Sequence, residues 1–592
     1  MSFEVFIGRL AKEIKAEKVV KGGVLINVFT GELYEADVAI YGNRILAVGD
    51  VKGFMNNGTK VIDATGYYLS PGLIDGHIHV ECSKLSITMF AKLVLPRGTT
   101  AIVSGLDQIY VVAGLRGVKN FLTEATKTPL KVFWGAPCKL PYTIPPSTVG
   151  FKFGAKEHRT TQLWPHCVGV WETVKEFVLE SDREVIQAMK LARKNRLSVY
   201  GCAPMIDPYK LQLYAASGIR ADHESYSAEE TLSKVRSGVY GMIRESSVAH
   251  FLKENIKVVT NYKVNPKIIC FCTDDVIASD VIRRGHLDNL VRMAIQEGVD
   301  PIKAIQMATI NCAEAYRIDH EVGLIAPGRI ADILMVTKPE TFTVERVIAN
   351  GELVASKGRM IVDLLPPKRG SSLTKTIKSE KVKPDELVIK TRVKSGVAEV
   401  LSMKVSEDVP FVRKKRIAKL RVKDGLILPD IVQDVLYVAV LDRYHRKGRK
   451  AVAFISGFKL RSGAVASSAA PDDNNILCIG TNPRDMAIAI NHIIENQGGQ
   501  VIVDNGRVVE FLQLPIGGIV ADIEPEKMAE YETRLDDIIK ELGCSLPSPM
   551  MYMIFLSITA IPDYAITDRG LIDCNSFKII NPIIKTERVE AG

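Results

Sequence analysis

Long hydrophobic runs are missing from this chain of 592 residues. The longest apolar stretch, Met550 to Ile561, falls well short of the ~20 residues that a membrane-spanning helix requires. It reads as a buried core helix, and no membrane partner is expected. Met1 to Phe6 carry neither the basic flank nor the apolar core of a signal peptide, so the expected location is cytoplasmic. Paired cysteine spacing is also missing. The 10 cysteines are scattered, and Cys270 and Cys272 sit inside an apolar run. This excludes a disulfide framework and suits buried thiols in a reducing compartment. Strong charge imbalance is lacking too, since a formal charge of +9 is modest for this length. The basic residues gather partly at Lys368 to Lys383 and at Arg413 to Lys423, without aromatic interleaving. Both stretches read as solvated surface or linker, and no nucleic-acid partner is expected. The chain has no repeat of fixed period.

What is present is an ordinary globular composition, 47% hydrophobic and 24% charged. The length predicts roughly two to four domains. Residues 18 to 70 alternate short apolar strands with turn residues, as at Thr30-Gly31 and Gly42-Asn43. The same strand-rich texture returns between Gly323 and Val354. Residues 1–70 plus 316–363 are therefore expected to form one small β-sandwich domain, split in sequence by a long insert.

Within that insert, residues 71–315, apolar strands alternate with helical stretches, the signature of βα units. Eight strands are predicted, ending near His79, Gly105, Gly135, Glu172, Cys202, His223, Arg244 and Asp274. Eight such units over about 250 residues fit an α/β fold of the (β/α)8 TIM-type barrel. The seventh strand has two candidates, Gly238 to Ile243 and the Val258 to Asn261 stretch. Helices are predicted at Val174 to Glu180, Glu184 to Asn195 and Glu229 to Ser237. Residues 364–385 are polar and basic with Pro366-Pro367, a linker pattern. Residues 386–592 read as a further mixed α/β domain.

The most informative segment is Pro71 to His79, where the apolar pair Leu73-Ile74 leads into two histidines one residue apart. Side chains alternate along a strand, so His77 and His79 share a face and can aim two imidazoles at one cation. Glu172, His223 and Asp274 also fall at predicted C-terminal strand ends, the end of a barrel that carries chemistry. Any one of these could be a structural histidine or a helix-capping acid. Three imidazoles and two carboxylates on one rim are the ligand types of a hydrolytic metal centre. In that reading Asp274 ligates the metal and moves the proton of the attacking water, and the two oxygens of Glu172 can serve two cations. Glu224, Arg244, Glu245 and Asp275 are the candidate substrate contacts. The match of His79-Val80-Glu81 to half of a zinc-deaminase signature is set aside, because no second cysteine follows Pro137-Cys138 at the required spacing.

These residues resemble the amidohydrolase superfamily, and within it the adenine deaminase family. The likeness includes Pro71 to His79, Leu95 to Thr100, Gly218 to Glu224, Met242 to Glu245, Phe271 to Asp275 and Met307 to Asn311. In the C-terminal region it includes Leu514 to Gly518, Leu542 to Pro547 and Thr567 to Leu571. The resemblance implies conversion of adenine to hypoxanthine and ammonia, a purine substrate, a divalent manganese or iron centre and a homo-oligomer. Departures accompany it. An Asp-Pro-His-Glu block of the family reads Gly105-Leu106-Asp107-Gln108 here, and a histidine ligand position reads Cys202. A histidine-containing C-terminal segment reads Ala470 to Asn475. Cys202 counts as a metal ligand in this reading, and as a softer one that favours zinc. Three functions stay open at this point: an adenine aminohydrolase, a hydrolase of another cyclic amidine or amide, and a non-catalytic paralogue.

Overall fold

The computed structural model describes residues 3–10, 14–406 and 412–588. Met1 and Ser2, at the head of the N-terminal stretch, lie outside the described residues.

Eight parallel strands form one sheet whose spatial order follows the chain. They are Leu73–Asp75, Thr99–Ser104, Lys131–Pro137, Cys167–Val174, Ser198–Cys202, Ile219–Asp222, Tyr240–Arg244 and Ile269–Cys272. Nearly every residue in them is buried, as expected where helices cover a parallel sheet. Alternate side chains separate into two clusters. Ile74, Val103, Phe133, Trp171, Tyr200 and Met242 share one, while Leu73, Ile102, Trp134, Val170 and Ile243 pack with the surrounding helices in the other. The first and last strands meet through backbone bonds beyond their ends. The Gly76 amide donates to Phe271 at 3.2 Å, Asp274 to His77 at 2.9 Å, and His79 to Asp274 at 3.0 Å.

The seventh strand is Tyr240–Arg244, whereas Lys257–Thr260 is helical. Val258 is buried against the main core there, and tertiary packing overrides the strand preference of a β-branched pair. Helices at Lys175–Leu179, Arg183–Lys194 and Ala228–Arg236 lie within a residue or two of their predicted bounds. Asp182 and Ser227 start the last two by accepting backbone N–H bonds.

A nine-stranded sheet joins the two sequence flanks of this region. Strand Tyr68–Pro71 pairs antiparallel with Ile333–Val336, so the chain enters and leaves the parallel sheet from neighbouring strands. An eleven-stranded mixed sheet follows, with helix Pro483–Glu495 packed on it.

The two basic stretches follow the solvated reading only in part. Lys414–Lys423 is a strand that buries Ala418, Leu420 and Val422 and turns most of its basic residues outward. Arg413 just before it is 1% exposed, and its guanidinium donates to the carbonyls of Phe555, Ile558 and Ile561. In 364–385, Leu373, Thr376, Ile377 and Val382 are buried, and Arg369 pairs with Glu124 at 2.6 Å and Asp522 at 2.7 Å. Composition registers charge, but it does not register a buried partner supplied from a hundred residues away. The apolar run at Met550 is also shorter as a helix than expected. Helix Pro549–Ile554 gives way to a 3-10 turn, Phe555–Ser557. Side-chain bonds then take over the run, with Ser557 donating to the Pro471 carbonyl at 2.7 Å and Thr559 accepting from the Ile144 amide.

The C-terminal helix Pro525–Glu541 reaches back to the parallel sheet. Glu532 pairs with Lys84 at 2.7 Å, both side chains being at most 4% exposed, and also accepts the Ser279 amide at 2.8 Å. Lys84 follows the His77–His79 turn, and Ser279 follows Asp275. Lys84→Met leaves Glu532 buried without its cation, so a loss of about 3 kcal/mol or more is expected. The check is the first transition in a urea titration, which moves to lower urea in the variant.

Candidate metal centre

Five chemistry-bearing side chains gather at the C-terminal end of the parallel sheet. Asp75 sets the frame. It accepts the amides of His77 at 3.2 Å and Thr273 at 3.1 Å and the Thr273 hydroxyl at 2.6 Å. It thereby ties the end of the first strand to that of the last. Burial pushes its pKa up to about 7 against those bonds. Glu172 and Asp274 have φ of +52° and +62°. Non-glycine residues hold this left-handed backbone only where the surroundings enforce it, often at functional sites. Here it accompanies two carboxylates turned inward.

The acceptor atoms converge. His77 Nε2 lies 3.1 Å from Glu172 Oε2 and 3.7 Å from Asp274 Oδ1. His79 Nε2 lies 3.5 Å from the same Asp274 oxygen, and His223 Nε2 lies 3.7 Å from the same Glu172 oxygen. Ligand atoms of His77, His223 and Asp274, of His77, His79 and Glu172, and of Glu172, Cys202 and His223 lie within 4.8 Å of one another in each set. Asp275 forms a further set with His79 and Asp274.

The other ring nitrogens fix the tautomers. His79 Nδ1 is 3.1 Å from Asp107, and His223 Nδ1 is 3.1 Å from the Gly201 carbonyl. His79 Nδ1 donates its proton to Asp107, and His223 Nδ1 donates to the carbonyl, which leaves the His223 Nε2 lone pair facing the centre. This is the way metal-binding histidines are oriented. His77 Nε2 and Glu172 Oε2 are both buried without a hydrogen-bond partner. Two buried polar atoms 3.1 Å apart, neither of them in a hydrogen bond, are costly unless a cation or proton lies between them. The residues present therefore fit a divalent cation.

Electrostatics differ sharply within this small volume. Burial holds the His77 pKa well below its ordinary value, with His223 adding to it, and burial with Arg244 does the same to His223. His79 goes the other way. Burial opposes its charge, but Asp107, then Asp275 and Asp274, outweigh burial and raise it well above. Burial raises Glu172 well above the carboxylate range. Burial would raise Asp274 too, but Arg244, His79 and His77 outweigh it and hold the carboxyl below that range. Cys202 is pushed well up by burial and by the charges of Glu172 and Glu224.

Of the substrate candidates, Glu224, Arg244 and Asp275 line a cavity beside the centre. Arg244 holds Glu224 with two bonds, at 2.7 and 3.1 Å, and donates also to Asp274. The Cys82 thiol donates to Asp275 at 2.9 Å. Glu245 does not join them. Its carboxylate pairs with Arg284 at 2.5 Å and His250 at 2.8 Å and accepts the Leu252 amide. It follows Arg244 directly, and adjacent residues at a strand end point opposite ways.

The cavity also has residues that sequence reasoning did not place. Tyr142 lines it from the segment after the third strand, and Asp472, Phe555, Ile558 and Ile561 close it from the C-terminal region. Burial, with Asp107 adding, pushes Asp472 up to about 8. The signals for Asp107 and Asp472 are the altered segments at 105–108 and 470–475. The apolar run after Met550 gave no sign of a cavity wall. The space between these groups and out through the mouth, open solvent included, is about 650 Å³.

This arrangement has counterparts among known proteins. Residues 68–354 match the pattern of the amidohydrolase family, and residues 410–578 match that of the adenine deaminase C-terminal domain. "Adenine deaminase 4" of Rhizobium meliloti is 56% identical over 96% of this chain and 95% of its own length. "Adenine deaminase 1" of Desulfotalea psychrophila is 54% identical over 96% of each chain. "Adenine deaminase 1" of Latilactobacillus sakei is 48% identical over the same shares. Identity at this level extends through both the histidine-bearing sheet and the C-terminal segments that close the cavity, and the chain belongs to the adenine deaminase family.

Proposed function

We propose that this chain is a metal-dependent aminohydrolase that converts adenine and water to hypoxanthine and ammonia. The observation that carries this reading is the gathering of His77, His79, Glu172, His223 and Asp274 into overlapping sets of ligand atoms, in a chain alike over 96% of its length to proteins named adenine deaminases. These five residues would hold the cation, with Cys202 beside them. The family resemblance favours manganese or iron, and a thiolate at Cys202 admits zinc. When bound, a divalent cation supplies water whose pKa falls from ~15.7 to ~7, a nucleophile at neutral pH.

The protein groups do the rest. Asp274 stays ionised because Arg244 and the imidazoles face it, so it can take a proton from the attacking water and return it to the leaving amino nitrogen. Arg244 fixes both Asp274 and Glu224, so the proton carrier and a cavity carboxylate keep one relative position. Glu224 and Asp275 accept N–H groups of the base. The apolar wall of Phe555, Ile558 and Ile561 excludes water from the ring face.

The architecture around this chemistry is read as a closed (β/α)8 barrel. The backbone bonds between the ends of the first and last strands and the separate inward-facing cluster support closure. Residues 71–315 are then the hydrolase barrel, 1–70 with 316–363 the β-sandwich, 364–385 the connection and 386–592 the C-terminal α/β domain. A homo-oligomer in the cytoplasm is proposed on the family resemblance; no helix among the described residues is long and apolar enough to cross a membrane.

The test measures metal per chain and then ammonia from adenine with added manganese, iron or zinc. Stoichiometric metal and ammonia release are expected. Metal without ammonia from adenine would redirect the search to other cyclic amidines and amides. Absence of metal binding would leave a paralogue without catalysis.

A further inference from the structure

Tyr142 stands on the segment between strand Lys131–Pro137 and helix Ala155–Thr161. It is 3% exposed and lines the cavity, and its hydroxyl has no hydrogen-bond partner among the described residues. A buried tyrosine hydroxyl normally has one. The segment is also firmly held. The Ile144 amide donates to Thr559 at 2.7 Å and the Thr148 amide to Asp568 at 3.0 Å, while the Asn475 side chain donates to the Thr148 carbonyl at 3.0 Å. These bonds fasten the Tyr142 segment to the C-terminal segments that close the cavity.

Carboxyl groups dominate the polar lining of the cavity. Glu172, Glu224, Asp274, Asp275 and Asp472 present carboxyl groups to it. Arg244 is the one lysine or arginine among its described lining residues, and it is committed to Glu224 and Asp274. A planar base such as adenine carries N–H groups that the carboxylates can accept. It also carries ring nitrogens with lone pairs, each of which needs a donor. Tyr142 offers an O–H donor that no protein group uses.

We propose that Tyr142 is a specificity-determining residue whose hydroxyl donates a hydrogen bond to a lone-pair ring nitrogen of the bound base. This rests on the reading of the substrate as adenine. Retaining the ring of the side chain while removing the hydroxyl isolates the bond, so the variant is Tyr142→Phe in the full metal-loaded chain. Its kinetics are compared with wild type on adenine and on 1-deaza-, 3-deaza- and 7-deazaadenine, each of which replaces one ring nitrogen by C–H. Tyr142→Phe is expected to lower kcat/KM for adenine about tenfold, mainly through KM. On one of the three analogues the two proteins become equal, because the partner nitrogen is gone. An unchanged kcat/KM on adenine overturns the assignment. So does an equal loss on all three analogues, which is the mark of a structural role. If wild type releases no ammonia from adenine, calorimetric titration with adenine separates the two readings. Weaker adenine binding by Tyr142→Phe retains this assignment while the deaminase reading falls. Equal binding by both proteins, or binding by neither, overturns the assignment itself.

Discussion

Asp274→Asn is expected to reduce ammonia release from adenine by about 10³-fold or more, with the fold retained. Asparagine keeps the shape of the side chain and loses its ability to carry a proton. Asp274 holds two positions at once. One oxygen lies 3.7 Å from His77 Nε2 and 3.5 Å from His79 Nε2, and the other accepts from Arg244. The amide variant can still accept a bond from Arg244, and Arg244 keeps its two bonds to Glu224. The neighbourhood therefore retains a partner for its buried cation, and the urea transition is expected to stay close to wild type. The measurement pairs steady-state ammonia release with that titration. A variant with more than a tenth of wild-type turnover removes Asp274 from proton transfer.

The strand ends were legible because each rests on local chemistry. The two histidines separated by one residue are expected on a strand, but the strand ends at Asp75 and both lie just beyond it, where Ile78 bridges to Asp274. Glu172, His223 and Asp274 each close an apolar run of strand length, and the observed strands end within a few residues of them. Arg244 was legible for the same reason. Glu245, its neighbour, is expected on the same side, but alternation along the strand turns it away, toward Arg284 and His250. The closing wall of the cavity was not legible. Phe555, Ile558 and Ile561 belong to an apolar run that looks the same whether it packs in a core or faces a ligand. Tyr142 has no sequence pattern at all, since its role depends on Thr559 and Asp568, more than 400 residues further along the chain. Arg369 and Arg413 were misread as solvated for the same cause, the partners that neutralise or cage them being distant in sequence. Local periodicity thus finds what one strand aims at, and it misses what another part of the chain brings to meet it.

Glu172→Gln is the second change of large expected effect, and it acts on the centre itself. Glu172 Oε2 is the atom that His77 Nε2 and His223 Nε2 both approach, at 3.1 and 3.7 Å, and it has no hydrogen bond of its own. A carboxylate there can serve a cation with either oxygen. Glutamine offers one weak carbonyl ligand and an NH2 group that would donate to an imidazole lone pair instead. That bond satisfies His77 or His223 without metal, so the variant replaces the reason for binding a cation with a neutral hydrogen bond. Stoichiometric metal is expected to be lost on dialysis, and ammonia release to fall by about 10³-fold. Metal analysis after exhaustive dialysis reads the first outcome and does so without any turnover. Full metal retention in Glu172→Gln would place Glu172 outside the ligand set and leave His77, His79, His223 and Asp274 to hold the cation alone.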